Sequence, residues 1–358
     1  MKETFSAGKL PPAFLESLFR KLPAGDSRVR IGPQVGEDAA VIDMGDRYLV
    51  AKTDPITFAA DRIGWYLVNI NANDVVCMGA DPKWLLVTCL LPEHGTDAES
   101  VEALFEDLSS ACSELGISVC GGHTEVTLGL DRPILVGQLL GEVAKDRFVD
   151  KRNVRPGDVV LLTKGIAVEG TCVIARERAG LLEKKVPGEI LAKARGFLED
   201  PGISVVKDAR LALEAAGPDV HGMHDPTEGG LVQGVRELAM RAGVGIRIEW
   251  EKIPVLPETR ILAEPFGIEP MGLLASGSLL LAVAPACEGR VRGALEGAGI
   301  PCTRIGLVSP PEEGLRWVRG GRETALPEFV RDELVKAFAE DLDFLPDSRP
   351  SIKEKPRT

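Results

Sequence analysis

Trp65-Tyr66-Leu67-Val68-Asn69-Ile70-Asn71-Ala72-Asn73-Asp74-Val75-Val76-Cys77-Met78, followed by Gly79, decides how the first half of the chain folds. The run is long enough for several helical turns, and the glycine is a natural C-terminal stop. It is apolar nearly all round, which marks a buried helix. Yet it carries three Asn and one Asp, which compete with helical hydrogen bonding and are poor choices for a helix interior. Asn71 and Asp74 are three apart and Asn69 and Asn73 four apart, so two polar rows lie side by side. A solvated face more often uses Glu, Lys or Arg. A carboxylate on such a helix needs a partner, because burying it alone is costly.

Working outward, residues 39–42 and 48–51 read as two strands joined by the turn Met44-Gly45-Asp46. Residues 84–91 read as a strand that is apolar on both alternating faces. Residues 97–115 form the clearest amphipathic helix, closed by Gly116, and 117–120 and 134–143 are further strands. The order β-β-α-β-α-β-β predicts an α+β layer with helices on one face of a sheet. A short helix over 13–22, entered through Pro11 and Pro12, precedes it.

The charged segment 145–157, ending Arg155-Pro156-Gly157, separates this half from a second one. The second half opens on the strand 159–162. Helices follow at 169–179, 188–198, 204–216 and 228–242, and strands at 246–250, 279–283 and 303–308. The expected organisation is an N-terminal segment over 1–36, a first domain over 37–145, a second over 155–312 and an extension with a loose tail over 313–358.

The 358 residues carry 42 Lys and Arg against 54 Asp and Glu, a net charge of −12. That balance argues against sequence-independent nucleic-acid or anionic-membrane binding. No run approaches the ~20 apolar residues of a membrane span. Without an apolar signal core at Met1-Lys2-Glu3-Thr4-Phe5, and with seven Cys but no Cys-x-x-Cys, the expectation is a cytoplasmic protein with reduced thiols.

The nucleotide-binding G-x-x-x-x-G-K-[ST] and G-x-G-x-x-G motifs are absent. His123-Thr124-Glu125 is an H-x-E without the P-C-x-x-C of a zinc deaminase. His221-Gly222-Met223-His224 reads as a polar loop rather than a zinc site. What stands out is a set of acids. Glu37 and Asp38 sit directly before one strand, Asp54 directly after the next, and Asp74 on the buried helix. Alone, Asp38 and Asp54 suit ordinary turns. With Asp74 they match a hard-cation site, because Mg²⁺ takes oxygen ligands and bridges carboxylates to phosphates. Asp38, Asp54 and Asp74 are therefore the candidate metal ligands. Two Gly-rich segments join them. Gly121-Gly122-His123-Thr124-Glu125 follows a strand; its glycines allow a backbone close to a ligand, to which Thr124 and Glu125 offer oxygens, and a plain strand-to-strand bend is the alternative. Asp225-Pro226-Thr227-Glu228-Gly229-Gly230 opens a helix, with Thr227 as N-cap and free amides able to hold an anion.

These segments, with Asn73-Asp74-Val75, Met78-Gly79-Ala80 and Arg155-Pro156-Gly157-Asp158, resemble the PurM-like superfamily in order along residues 30–310. That superfamily contains aminoimidazole ribonucleotide synthetase, thiamine-monophosphate kinase, selenophosphate synthetase and the hydrogenase maturation factor HypE, to which the layout is most similar. The resemblance implies a two-domain α+β fold, with an N-terminal four-stranded sheet that closes into a barrel across a homodimer and a C-terminal α+β domain. It implies ATP between the domains and ATP- and Mg²⁺-dependent phosphoryl transfer, or ATPase activity, toward an amide-like, other small-molecule or protein acceptor. A non-catalytic ATP-binding dimer acting in assembly is the alternative. Nucleotide contacts are implied for Asp38, Asp54, Asn73, Asp74, Gly121, Gly122, Thr124, Glu125, Thr227, Gly229 and Gly230, and catalytic positions for Asp225 and His123. Lys52, Lys164 and Arg155 are candidate cationic helpers. HypE ends in a Cys that accepts a carbamoyl group, and has Asp where this chain has His123. This sequence ends Pro356-Arg357-Thr358, so the expectation is that it does not accept that group.

Overall fold

The computed structural model describes residue 5, residues 10–23 and residues 25–339. The expected loose tail, including Pro356-Arg357-Thr358, lies outside the described residues. The first domain contains α1 (Pro12–Phe19), β1 (Val29–Ile31), β2 (Ala40–Asp43), β3 (Arg47–Ile56), α2 (Ile63–Cys77), β4 (Asp81–Pro92), α3 (Ala98–Leu115), β5 (Ser118–Thr127) and β6 (Ile134–Ala144). Its sheet has the order β1-β2-β3-β6-β4-β5. The long strands β3, β6, β4 and β5 are the expected four-stranded sheet, and short β1 and β2 extend one edge.

Every residue of α2 is buried. The helix lies against the sheet because β6 offers glycines beneath it. A Cβ on Gly137 would stand 2.7 Å from Asn71 Nδ2, and one on Gly141 2.4 Å from Val75 Cγ1. This approach brings Asn71 and Asp74 onto β3. α3 follows a capping box in which Asp97 accepts from the Ser100 amide, and ends at Gly116 with φ 70°.

Two expectations need correction here. Asp54 does not follow a strand; β3 runs on through it to Ile56. The Gly121–Glu125 segment does not follow a strand either, nor is it a bend. It continues β5, which pairs in parallel with β4, His123 opposite Thr88. Gly122 is required because a Cβ there would stand 2.0 Å from the Val87 carbonyl oxygen.

The second domain contains β7 (Val159–Thr163), α4 (Val168–Glu177), α5 (Ala179–Leu182), α6 (Gly188–Arg195), α7 (Val206–Ala216), β8 (Val220–His224), α8 (Gly230–Ala242), β9 (Gly245–Glu249), α9 (Pro257–Ala263), β10 (Leu280–Val283), α10 (Glu288–Gly297), β11 (Cys302–Ser309), β12 (Leu315–Arg319) and β13 (Arg322–Ala325). Its sheet has the order β13-β12-β9-β11-β7-β10-β8. The sheet therefore continues past residue 312, where the sequence reading ends the domain, through β12 and β13. β7 and β10 are buried along their whole length, as expected for interior strands covered on both faces, and β8 is equally buried although it forms one edge of the sheet.

Asn73 joins the domains. Its side-chain amide donates to the Ile203 carbonyl and its oxygen accepts from the Val205 amide, both at 2.8 Å. All seven cysteines are free thiols, with Cys120 alone exposed. Among the described residues, no helix is long and apolar enough to cross a membrane.

Candidate functional site

A cavity of about 400 Å³ between the domains is lined by Asp38, Lys52, Asp54, Asp74, Glu169, His224, Asp225 and Thr227, among others. Asp38 is delivered just before β2, Asp54 by β3 and Asp74 by α2. From the other domain come His224 at the end of β8, Asp225 directly after it, and Glu169 on α4.

Asp38 is the best compensated of these acids. Lys151 Nζ lies 2.7 Å from its Oδ2, and His224 Nδ1 lies 2.8 Å from its Oδ1. Lys151 is buried and is presented by a 3₁₀ turn whose N-cap, Asp150, accepts from the Arg152 amide. Burial alone would raise the Asp38 carboxyl. Lys151 and then His224 outweigh that and hold it well below the usual carboxylate range. His224 Nε2 also lies 3.0 Å from Glu237 Oε2. Burial and Lys151 oppose protonation of the imidazole, but Asp38 and Glu237 win and its pKa is raised. Beside Asp38, Glu37 is paired with Arg241.

The remaining acids have less positive charge near them. Lys52 Nζ is shared between Asp74 Oδ2 at 3.0 Å and Asp54 Oδ2 at 3.3 Å. Asn71 Oδ1 accepts the Asp54 amide at 3.1 Å, which fixes β3 against α2. Burial pushes Asp74 up to about 7; Lys52 opposes this, while Asp54 and Asp38 add to it. Asp225 is raised well above the ordinary range by burial and then by Asp74 and Asp38. Its Oδ2 has no hydrogen-bond partner among the described residues, and its Oδ1 faces only the Cys77 thiol at 3.9 Å. One ligand atom each from Asp38, His224 and Asp225 lie within 4.8 Å of one another. Buried oxygen donors with unmet charge fit a hard divalent cation. Both oxygens of Asp38 are already engaged, whereas Asp225 keeps an oxygen without a hydrogen-bond partner, and Asp54 and Asp74 line the same cavity with Lys52 between them.

The structure thus brings Asp38, Asp54, Asp74, Asp225 and Thr227 together and leaves other expected site residues elsewhere. Gly121, Gly122, His123 and Thr124 line a separate groove against α3 with Phe105 and Cys112. Glu125 lies on the same exposed strand, 3.1 Å from His123 Nε2. Asn73 is taken up by the interdomain bonds. Thr227 is not an N-cap, because α8 starts after Gly229 at φ 79°. The Gly229 amide is not free for an anion; it donates to Asp332 Oδ2 at 2.7 Å. Gly230 serves close packing, a Cβ there standing 2.4 Å from the Met271 carbonyl oxygen. Of the candidate helpers, Lys52 enters the cluster. Lys164 pairs with Asp208 at 3.4 Å, and Arg155 stands 3.3 Å from His221 Nε2.

Sequence reasoning missed His224, Lys151 and Glu169. His224 carried a usable signal, since it directly precedes Asp225 and follows the apolar Met223. Lys151 sits in a charged connector and carried none.

A sheet-and-helix domain joined to a second one, with an acid cluster in the cleft, defines a two-domain PurM-like protein. The models for AIR synthase related protein match on both sides of the domain junction, the N-terminal domain over residues 36–143 and the C-terminal domain over 155–318, and the chain belongs to that family. It is 26% identical over 258 residues to a putative hydrogenase expression/formation protein of Methanocaldococcus jannaschii, covering 71% of this chain and 73% of that protein. It is also 26% identical over 294 residues to the carbamoyl dehydratase HypE of Cupriavidus necator, covering 79% of each. Among solved structures, a hydrogenase maturation protein HypE in complex with ATP superposes with a TM-score of 0.68 at 24% identity, over 83% of this chain and 90% of that one. The last likeness shows the fold.

Proposed function

We propose that the interdomain cavity binds Mg²⁺-ATP and that the protein uses it for phosphoryl transfer to a small acceptor or a protein group. The observation that carries this reading is the acid set on facing domains, buried Asp74 and Asp225 with half-buried Asp54 beside Asp74, to which the described residues give a single cation, Lys52, shared between Asp54 and Asp74. Asp54, Asp74 and Asp225 would hold the cation, and Mg²⁺ there supplies charge for phosphate oxygens that an acidic cavity otherwise repels. Lys52 orients Asp54 and Asp74. Lys151 and His224 fix Asp38 behind them and limit the negative charge of that wall. The relatives named for carbamoyl dehydration and the ATP complex support an ATP-dependent reaction.

The homodimer belongs to the same reading. On β4, Leu85, Val87, Cys89 and Leu91 are buried, but Leu86, Thr88 and Leu90 on the opposite face are only half-buried within one chain. β5, the sheet edge, exposes Val119 and Val126. A second copy laid on this face covers both features.

The test is titration calorimetry of ATP with and without Mg²⁺, for wild type and Asp74→Asn, which keeps shape and removes charge. Expected is Mg²⁺-dependent binding that weakens about tenfold or more in the variant, tenfold being about 1.4 kcal/mol. Unchanged affinity would remove Asp74 from the site. Tight binding without phosphate release over a panel of acceptors would favour a non-catalytic assembly role.

A further inference from the structure

We propose that the loop 57–62, between β3 and α2, is a gate on the interdomain cavity, latched closed by the second domain through Glu177. The proposal rests on the nucleotide reading of that cavity and concerns how its ligand enters and leaves. Thr57, Phe58 and Ala59 line the cavity. Thr57 is exposed and Ala59 buried, so the loop forms part of the cavity's rim. It belongs to the first domain, yet most of its fastenings lie beyond that domain. The Ala60 and Asp61 amides both donate to Glu177 Oε1, at 2.9 and 3.3 Å. Asp61 pairs with Arg176, also on α4. Arg62 Nη1 lies 2.9 Å from Glu199 Oε1. Phe58 packs on Phe338, from the chain after β13, with ring centroids 6.4 Å apart.

The fastenings are of a kind that opens locally. The side chains of Asp61 and Glu199 are 58% and 46% exposed, and exposed ion pairs hold weakly. The flanks are firm by contrast: Ile56 ends β3 and Ile63 opens α2, and both are buried. Between flank and loop the chain turns through Arg62 at φ 59°, a left-handed conformation uncommon for a residue with a side chain. A segment tied between firm ends by a few exposed polar contacts belongs to the low-stability part of a fold. The domains themselves are joined elsewhere, by the buried Asn73 bonds to Ile203 and Val205, so the loop can open without parting them. Glu177 holds two consecutive backbone amides at once, which makes it the contact on which closure turns. With the loop closed in the resting protein, the apparent association rate scales with the open fraction. Weakening the latch therefore speeds entry, whereas weakening a plain cavity wall speeds only escape.

Stopped-flow mixing of the full chain with Mg²⁺ and a ribose-labelled fluorescent ATP reads both rates. Glu177→Ala should raise the association rate constant about fivefold and the dissociation rate constant at least as much. Glu177→Gln keeps an oxygen for the two amides and should stay near wild type. Glu199→Gln loosens the loop through Arg62 instead and should move association in the same direction as Glu177→Ala. Without nucleotide, Asp61→Ala releases Arg176 but leaves Glu177 in place, and should speed hydrogen exchange at the Ala60 amide about fivefold. An unchanged or slower association in both Glu177→Ala and Glu199→Gln would overturn the proposal. Faster dissociation alone would make the loop a wall that touches the ligand and overturn it too, as would undisturbed Ala60 protection in Asp61→Ala. Faster Ala60 exchange in a protein whose wild type binds no nucleotide would sink the nucleotide reading and leave the latch standing.

Discussion

Replacing Glu169 by Gln should stabilise the protein, and the gain should grow with pH. Gln copies the protonated carboxyl in size and polarity, so the comparison isolates ionisation. Burial is the main reason the Glu169 carboxyl moves from 4.5 up to about 8, with Asp332 and Glu228 adding to it. A carboxyl whose folded pKa is raised favours the native state fully below its unfolded value. That contribution disappears as pH climbs through the folded value, because the unfolded chain gives up its proton first. At about 1.4 kcal/mol per pH interval over which only the unfolded chain is ionised, wild type should lag the variant by under about 1 kcal/mol at pH 5. The gap becomes about 3 kcal/mol at pH 7 and about 5 kcal/mol at pH 9. In a domain of this size each kcal/mol moves the midpoint by roughly 2–4 °C, so a difference of about 10 °C or more is expected at pH 9. Thermal unfolding of both proteins from pH 5 to pH 9, without nucleotide, reads it directly. A difference independent of pH would show that Glu169 is ionised in the native state or paired with a cation, and would refute the argument.

Lys151→Met should cost about 3–5 kcal/mol in urea unfolding, because it strips Asp38 of a buried counter-charge at 2.7 Å. A loss under about 1 kcal/mol would mean that His224 alone satisfies Asp38. Asn73→Ala orphans the Ile203 carbonyl and the Val205 amide, and should cost about 2–4 kcal/mol and raise hydrogen exchange at Val205; undisturbed protection there would remove Asn73 as the interdomain clamp. Light scattering at about micromolar concentration should give twice the 38.3 kDa chain mass. A clean monomer that still binds ATP would detach the site from any subunit interface.

The elements that can be read from the sequence are those whose pattern is local. α3 announces itself by apolar spacing and a glycine stop, and the helix 65–78 by polar residues in an apolar run; both lie where the spacing puts them. The acids Asp38, Asp54 and Asp74 were legible for the same reason, since each is an anomaly against its neighbours. β8 was not. Val220-His221-Gly222-Met223-His224 has no alternation, because the strand is buried throughout, and its polar residues resemble a loop. What makes them strand residues is distant: His221 Nδ1 meets Asp158 at 2.9 Å, and His224 meets Asp38 and Glu237. Local propensity gives way to such long-range pairing.

The same distinction explains the arrangement of charge. Lys151 belongs to a connector that any compositional reading assigns to solvent, yet it is among the most completely buried side chains. Its position follows from Asp38, and Asp38, with Glu237, in turn raises the pKa of His224 against the effect of burial. That core of the cluster is balanced by the protein's own groups. Asp74 and Asp225, one from each domain, are not, and an unpaired buried oxygen on Asp225 marks where the balance fails. A fold that merely needed these acids for stability would have given each a cation of its own, as it gave Asp38 Lys151; Asp74 instead shares Lys52 with Asp54, and Asp225 has none among the described residues. Leaving them uncompensated weakens the apo protein and favours whatever cation and ligand draw the two domains' carboxylates together, which is the arrangement that a nucleotide-dependent site between domains requires.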